Sequence, residues 1–129
     1  MILADTSAWV EFLRGTGSQV NVRLRTGLER DELATTDVVL MEVLAGARDE
    51  RHRESLRALL RRADFVPAEG PHDYEDAAEI YRICRHRGVT VRALTDCLIA
   101  VVALRAGLPV LHSDSDFTTI AHHTNLALA

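Results

Sequence analysis

The chain contains no lysine; all 15 of its basic residues are arginine. It is also poor in cysteine (2), proline (3) and aromatics (5% of 129 residues). Each shortage excludes something. Cys84 and Cys97 lie in apolar helical stretches and read as buried free thiols rather than a disulfide or metal site. Proline- or glycine-rich linkers, repeats and low-complexity segments are missing, so residues 1–129 read as a single domain, long enough for a real core. The longest apolar run, Cys97 to Leu104, is too short to span a bilayer. The start, Met1-Ile2-Leu3-Ala4-Asp5, has no basic stretch of the signal-peptide kind, which predicts a cytoplasmic protein. A net charge of −4 argues against general nucleic-acid affinity. Arginines nevertheless crowd Arg48 to Arg62 and Arg82 to Arg92. Arginine suits bidentate phosphate contact. Interleaved Asp49, Glu50 and Glu54 favour a solvated helix face instead. Trp9 and Phe12 read as core or interface rather than as a base-stacking platform.

What the chain does have is carboxylates among core-forming residues. Asp5 closes the run Met1 to Ala4. Glu42 lies inside Val38-Val39-Leu40-Met41-Glu42-Val43-Leu44. Asp96 opens Cys97-Leu98-Ile99-Ala100-Val101-Val102. Asp114 and Asp116 follow Val110-Leu111-His112. Buried charges are costly unless paired. These runs hold no lysine or arginine, so a bound divalent cation is the economical partner.

Alternating elements suggest one α/β unit. Strands are expected at Ile2 to Ala4, Leu33 to Thr35, Phe65-Val66, Val110 to His112 and Leu126 to Leu128. Helices fill the spaces. Thr6 or Ser7 caps the first, which Gly15 and Gly17 end, and Ser18 caps the second. Asp37 caps a third that runs to about Ala47, and Asp49 begins the fourth. His72 or Asp73 begins the fifth, and Thr95 caps the most apolar one, stopped by Gly107. The last runs from Asp116 to about His122. This pattern predicts a mainly parallel sheet with helices on both faces.

Parallel strands align their carboxyl ends, with the following helix N-termini, along one edge. Asp5 and Asp114 sit just past strand ends, and Asp96 sits in a first helical turn. Glu42 lies about 7.5 Å along its helix from Asp37, with its side chain leaning back toward the N-terminus. Four dispersed acids can therefore meet. Two carboxylates ~4 Å apart repel by ~4 kcal/mol at an effective dielectric of ~20. A cation relieves this, and hard oxygen ligands select Mg²⁺ or Mn²⁺ over zinc. The predicted chemistry is hydrolysis of a phosphodiester.

Blander readings stand beside these. Asp5 also fits a helix cap, as does Asp96 beside Thr95. Asp114 and Asp116 fit turn residues. Ser7 fits a cap or packing hydroxyl, and His112, His122 and His123 show no catalytic spacing. Glu42 is hardest to explain blandly, because Val38, Val39, Ala45 and Gly46 surround it at helical spacing.

Four segments in order resemble one family. They are Asp5-Thr6-Ser7-Ala8-Trp9, Met41-Glu42-Val43-Leu44-Ala45-Gly46, Thr95-Asp96-Cys97-Leu98-Ile99-Ala100 and His112-Ser113-Asp114-Ser115-Asp116-Phe117. The ordered set resembles PIN-domain ribonucleases, and among them the VapC toxins of bacterial toxin–antitoxin pairs. The resemblance implies a three-layer α/β/α sandwich with a mainly parallel central sheet. It also implies Mg²⁺- or Mn²⁺-dependent RNA cleavage, a homodimer and a VapB-like antitoxin that blocks the site with a basic side chain. It carries Asp5, Glu42, Asp96 and Asp114 over as an acidic quartet, with Asp116 as a fifth member. Asp5 and Asp96 would ligate the metal directly. Asp114 and Asp116 would reach it directly or through water. Glu42 would hold a second metal or orient the attacking water. Ser7 would orient Asp5 or a water.

Two alternatives remain open. The same site can cut DNA, as a flap or single-strand nuclease does. An acidic pocket can also bind an Arg-rich peptide without catalysis, in which case it has little affinity for metal.

Overall fold

The computed structural model describes all of residues 1–129. Four short strands are separated by seven helices. They are β1 (Ile2–Ala4), β2 (Leu33–Thr35), β3 (Asp64–Phe65) and β4 (Val110–Leu111). The sheet order is β3-β2-β1-β4, and every pairing is parallel. Consecutive residues of β1 and β2 are all buried. Neighbouring strand residues point to opposite faces, so both faces of the sheet are covered. The expected α/β/α arrangement is present.

The helices are α1 (Thr6–Leu13), α2 (Gln19–Glu29), α3 (Asp37–Ala45), α4 (Glu50–Leu60), α5 (His72–His86), α6 (Leu94–Ala106) and α7 (Ser115–His123). Helix α6 is the central pillar. Every residue from Asp96 to Ala103 is buried, so it is apolar all round rather than striped. Gly107 ends it in the left-handed conformation at φ 68°. Trp9, Leu3, Leu24, Ile99 and Phe117 fill the interior. Complete burial removes Trp9 from the candidates for surface contact.

Several local expectations change. Asp5, not Thr6 or Ser7, caps α1, accepting from the Ala8 amide at 2.8 Å. Thr36 flanks α3 without a side-chain bond; Asp37 is its first residue and accepts from the distant Ala68 amide at 2.6 Å. The helix stops at Ala45, short of Ala47. Ala93 flanks α6, so Thr95 lies inside the first turn and caps nothing. The final segment forms one parallel bridge, Val110 to Leu128, rather than a strand. It sits at the sheet edge with no further partner to extend it. The β3 strand starts one residue early, and Val66 continues the pairing with a bond to the Thr35 carbonyl.

The topology positions the site. From β1 the chain moves outward through β2 and β3, then returns to place β4 on β1's other side. The crossover direction reverses between β1 and β4, which opens a crevice at their carboxyl ends. Asp5 follows β1 and Asp114 follows β4, so both line that crevice.

Candidate active site

Asp5 is 1% exposed. Its carboxylate accepts the Ala8 amide and, on both oxygens at 2.8 Å, the Ser7 hydroxyl. Burial pushes its pKa up to about 6, against the opposing pull of those bonds. The Ser7 oxygen in turn accepts from the Ser113 amide at 2.8 Å. Ser7 thus ties the end of β1 to the loop after β4. It is a brace for Asp5.

Asp96, Asp114 and Asp116 bring one carboxylate oxygen each within 4.8 Å of the others. Asp96 is 6% exposed, and its Oδ2 atom is buried without a hydrogen-bond partner. Burial, then a hydrogen bond with Asp116, then the nearby carboxylates raise its pKa to about 8. Asp116 goes the other way. Burial works to raise it, but the Arg92 and Ala93 amides, the Asp96 carboxyl and the Arg92 guanidinium more than offset this. The two acids titrate as a coupled pair.

Asp114 caps α7, its Oδ1 atom accepting from the Asp116 amide at 2.9 Å. Its own amide donates to His112 Nδ1 at 3.2 Å. His112 stacks at 5.5 Å on Phe117, and burial lowers its pKa. It is a structural ring, as its spacing suggested. Glu42 is half-buried and accepts the Thr6 hydroxyl at 2.7 Å.

Asp5, Ser7, Glu42, Asp96 and Asp114 line one cavity of about 350 Å³. Asp116 lies behind it, held against Asp96 and Asp114. Thr95 is not part of the wall. Cys97, next to Asp96, is buried and free, and burial drives its thiol up to about 12. It is therefore inert as a thiolate ligand or nucleophile.

One group was missed. The apolar runs themselves hold no basic residue, but Arg92, from outside them, pairs two of the acids. Its Nη2 atom lies 2.8 Å from Asp114 Oδ1, and its Nε atom 3.3 Å from Asp116 Oδ1. Those two carboxylates raise the Arg92 pKa in return. Arg92 precedes Asp96 in an irregular loop, with no apolar run and no periodicity to mark it. Glu11 and Arg14 also line the cavity and drew no notice in the sequence, and Thr6 and Ser113, noted there only as a cap or within a motif, join them.

An unpartnered buried carboxylate oxygen, a donor set of hard oxygens only, and three acids in mutual reach fit a divalent cation. The same crowding is costly for the protein alone. No helix is long and apolar enough to cross a membrane.

Comparison with known proteins agrees with this geometry. The PIN domain family model matches residues 2–123. Ribonuclease VapC11 of Mycobacterium tuberculosis is 42% identical over 131 aligned positions, covering 100% of this chain and 98% of that protein. Ribonuclease VapC51 of the same organism is 33% identical over 93 positions, covering 72% of this chain and 67% of its own length. Among solved structures, VapBC2 from Rickettsia felis bound to a promoter DNA fragment superposes with a TM-score of 0.77. It is 17% identical, with 100% of this chain and 98% of that chain covered. FitAcB from Neisseria gonorrhoeae gives a TM-score of 0.74 at 21% identity, with 99% and 96% covered. At these identities the two structures speak to the fold alone.

Proposed function

The chain belongs to the PIN-domain family, among the VapC ribonucleases, and from that premise we propose that it is the endoribonuclease toxin of a toxin–antitoxin pair. Residues 1–129 act as one PIN domain that hydrolyses RNA phosphodiester bonds with Mg²⁺ or Mn²⁺, in the cytoplasm. The observation that carries this reading is the gathering of Asp96, Asp114 and Asp116 within 4.8 Å, beside Asp5 in one cavity, with Asp96 Oδ2 left unpartnered.

A divalent cation bound there would acidify a water and neutralise charge on the phosphodiester. Asp5 and Asp96 are the ligands of choice, being buried and facing the same cavity. Asp114 adds a third oxygen. Asp116 already uses both oxygens on the Arg92 and Ala93 amides. Its part is to hold Asp96 in place and to reach the metal through water. Ser7 fixes the Asp5 carboxylate, and Glu42, fixed by Thr6, orients the attacking water or receives a second cation.

The antitoxin is a VapB-like protein, and the toxin pairs with a second copy of itself. The full-length likeness to VapC11, at 42% identity, supports the first of these. A basic antitoxin side chain would enter the same acidic cavity and compete with the metal.

The test uses purified chain free of antitoxin. It should cleave RNA in Mn²⁺ or Mg²⁺ and not in EDTA, and Asp5→Ala or Asp96→Ala should abolish cleavage. Undiminished cleavage by both variants rejects the reading. Faster cutting of a matched DNA oligonucleotide would favour the DNA-nuclease alternative. Calorimetry showing no Mn²⁺ binding would favour the non-catalytic pocket.

A further inference from the structure

Arg92 stands apart from the other paired arginines. Arg105 is bonded to both oxygens of Asp73 and to the Pro67 carbonyl, and Asp73 is buried. That is a structural clasp. The Arg92 side chain is 69% exposed, yet its guanidinium touches two acids of the candidate metal site and the Ser115 hydroxyl at 3.1 Å. It is the ion-paired arginine at this cluster, reaching it through Asp114, whereas Arg14 is the arginine on the cavity wall itself.

The backbone around Arg92 is anchored without its side chain. The amides of Arg92 and Ala93 bind the two oxygens of Asp116 at 3.1 and 3.0 Å, and Val91 is buried. The guanidinium can therefore change partners while the loop stays fixed. The Arg92–Asp114 pair is partly exposed and contributes little to stability, and the buried Asp116 keeps both amide donors when the guanidinium leaves, so the exchange is inexpensive. Metal binding makes it easier still, because a cation on Asp114 withdraws the negative charge that holds Arg92.

A second fact concerns charge. Six carboxylates gather here, Asp5, Glu11, Glu42, Asp96 and Asp114 on the cavity wall with Asp116 behind it, and a divalent cation would cancel only part of that charge. A polyanion approaching the hollow needs a further positive group at its mouth. Any phosphate held at a cation on Asp114 lies within a short side-chain swing of a guanidinium that is itself 2.8 Å from that residue.

We propose that Arg92 is the phosphate-binding residue of this site. On substrate entry its guanidinium leaves Asp114 and Asp116 and grips non-bridging phosphate oxygens of the RNA, bidentately as arginine favours. The proposal deepens the ribonuclease reading and rests on it.

The test compares wild type with Arg92→Gln and Arg92→Lys. Cleavage of total RNA by wild type in Mn²⁺ is the control on the ribonuclease reading; if that fails, the reading itself has failed. With the control in hand, Arg92→Gln should cut about ten- to a hundredfold more slowly, the usual worth of a charge-assisted phosphate contact. Its Mn²⁺ affinity by calorimetry should hold or rise, since Arg92 does not ligate the metal but competes with it for Asp114. Arg92→Lys should fall between the two, keeping the charge and losing the fork. Binding of a labelled mixed-sequence oligoribonucleotide is measured in an Asp5→Asn background, with and without Arg92→Gln. The log–log salt slope should drop by about 0.7, one phosphate contact on a single strand. An unchanged rate and slope in Arg92→Gln overturns the proposal. So does a parallel loss of Mn²⁺ binding in both variants, which would make Arg92 a brace for the acids. Should Arg92→Gln not fold, Arg92→Lys decides by the same two readings.

Discussion

Asp96→Asn should make the metal-free protein more stable. In the folded chain the Asp96 pKa stands at about 8, against an ordinary 3.8. Between those values the folded state binds more protons than the unfolded state, so stability falls as pH rises through that window. Below 3.8 the penalty vanishes, and above about 8 it stops growing. Each pH unit costs about 1.4 kcal/mol, which sets an upper limit of about 4 kcal/mol at pH 7. Relaxation of the site and water entry around the ionised carboxylate cut this to about 2 kcal/mol. Asparagine keeps the shape, carries no charge and still donates to Asp116. The expected gain is roughly 7 °C in Tm at pH 7 for a chain of this size. The assay is thermal melting in EDTA at several pH values, followed by Mn²⁺ addition. The gap between variant and wild type should open from pH 4 toward 8. Mn²⁺ should then raise the wild-type Tm and leave Asp96→Asn nearly unmoved, so that excess metal reverses the order. Equal stability in EDTA at pH 7, or a gap indifferent to pH, would refute the claim that Asp96 is a crowded, unneutralised acid.

Three further outcomes follow from the same structure. Ser7→Ala removes the bridge between Asp5 and the Ser113 amide, and should weaken Mn²⁺ binding and slow cleavage by about tenfold, read by calorimetry and by RNA turnover. Arg105→Ala strands the buried Asp73 with only the Glu69 amide, costing about 3 kcal/mol in denaturant unfolding while leaving Mn²⁺ affinity unchanged. Burial works to raise Asp73, but Arg105 and that amide hold it below its usual value; the pair's contribution is present above pH 3.8 and lost as pH falls below it, and Asp73→Asn with Arg105→Met should erase that acid dependence. Gly27→Ala sets a new Cβ against the buried Leu33 side chain, 2.8 Å from its Cγ, and should cost about 1–3 kcal/mol by overpacking where α2 meets β2.

Much of the fold was legible because local signals agreed with the tertiary outcome. Ser18 and Asp49 cap the helices they precede, and Gly107 ends the helix it follows. The run Ile2 to Ala4 is the strand expected of it, with all three residues buried. The errors fall where a long-range partner decides. Asp37 reaches across to the Ala68 amide instead of capping its own helix. Thr95 yields the helix start to Ala93, because Asp116 seizes the Ala93 amide from the far side of the crevice. Leu126 to Leu128 gains a single bridge at a sheet edge.

The sequence alone determined that Asp5, Glu42, Asp96 and Asp114 would be awkward for an ordinary core, because charge inside apolar runs is visible in one dimension. It also determined the parallel alternation that brings strand ends to a common edge. Only the tertiary structure decided how the acids divide their labour: Asp96 pushed up by burial with one oxygen unpartnered, Asp116 bonded on both oxygens by amides, Asp5 braced by Ser7. It alone supplied Arg92. A salt bridge is a matter of distance in space, and nothing in the order of residues records that distance.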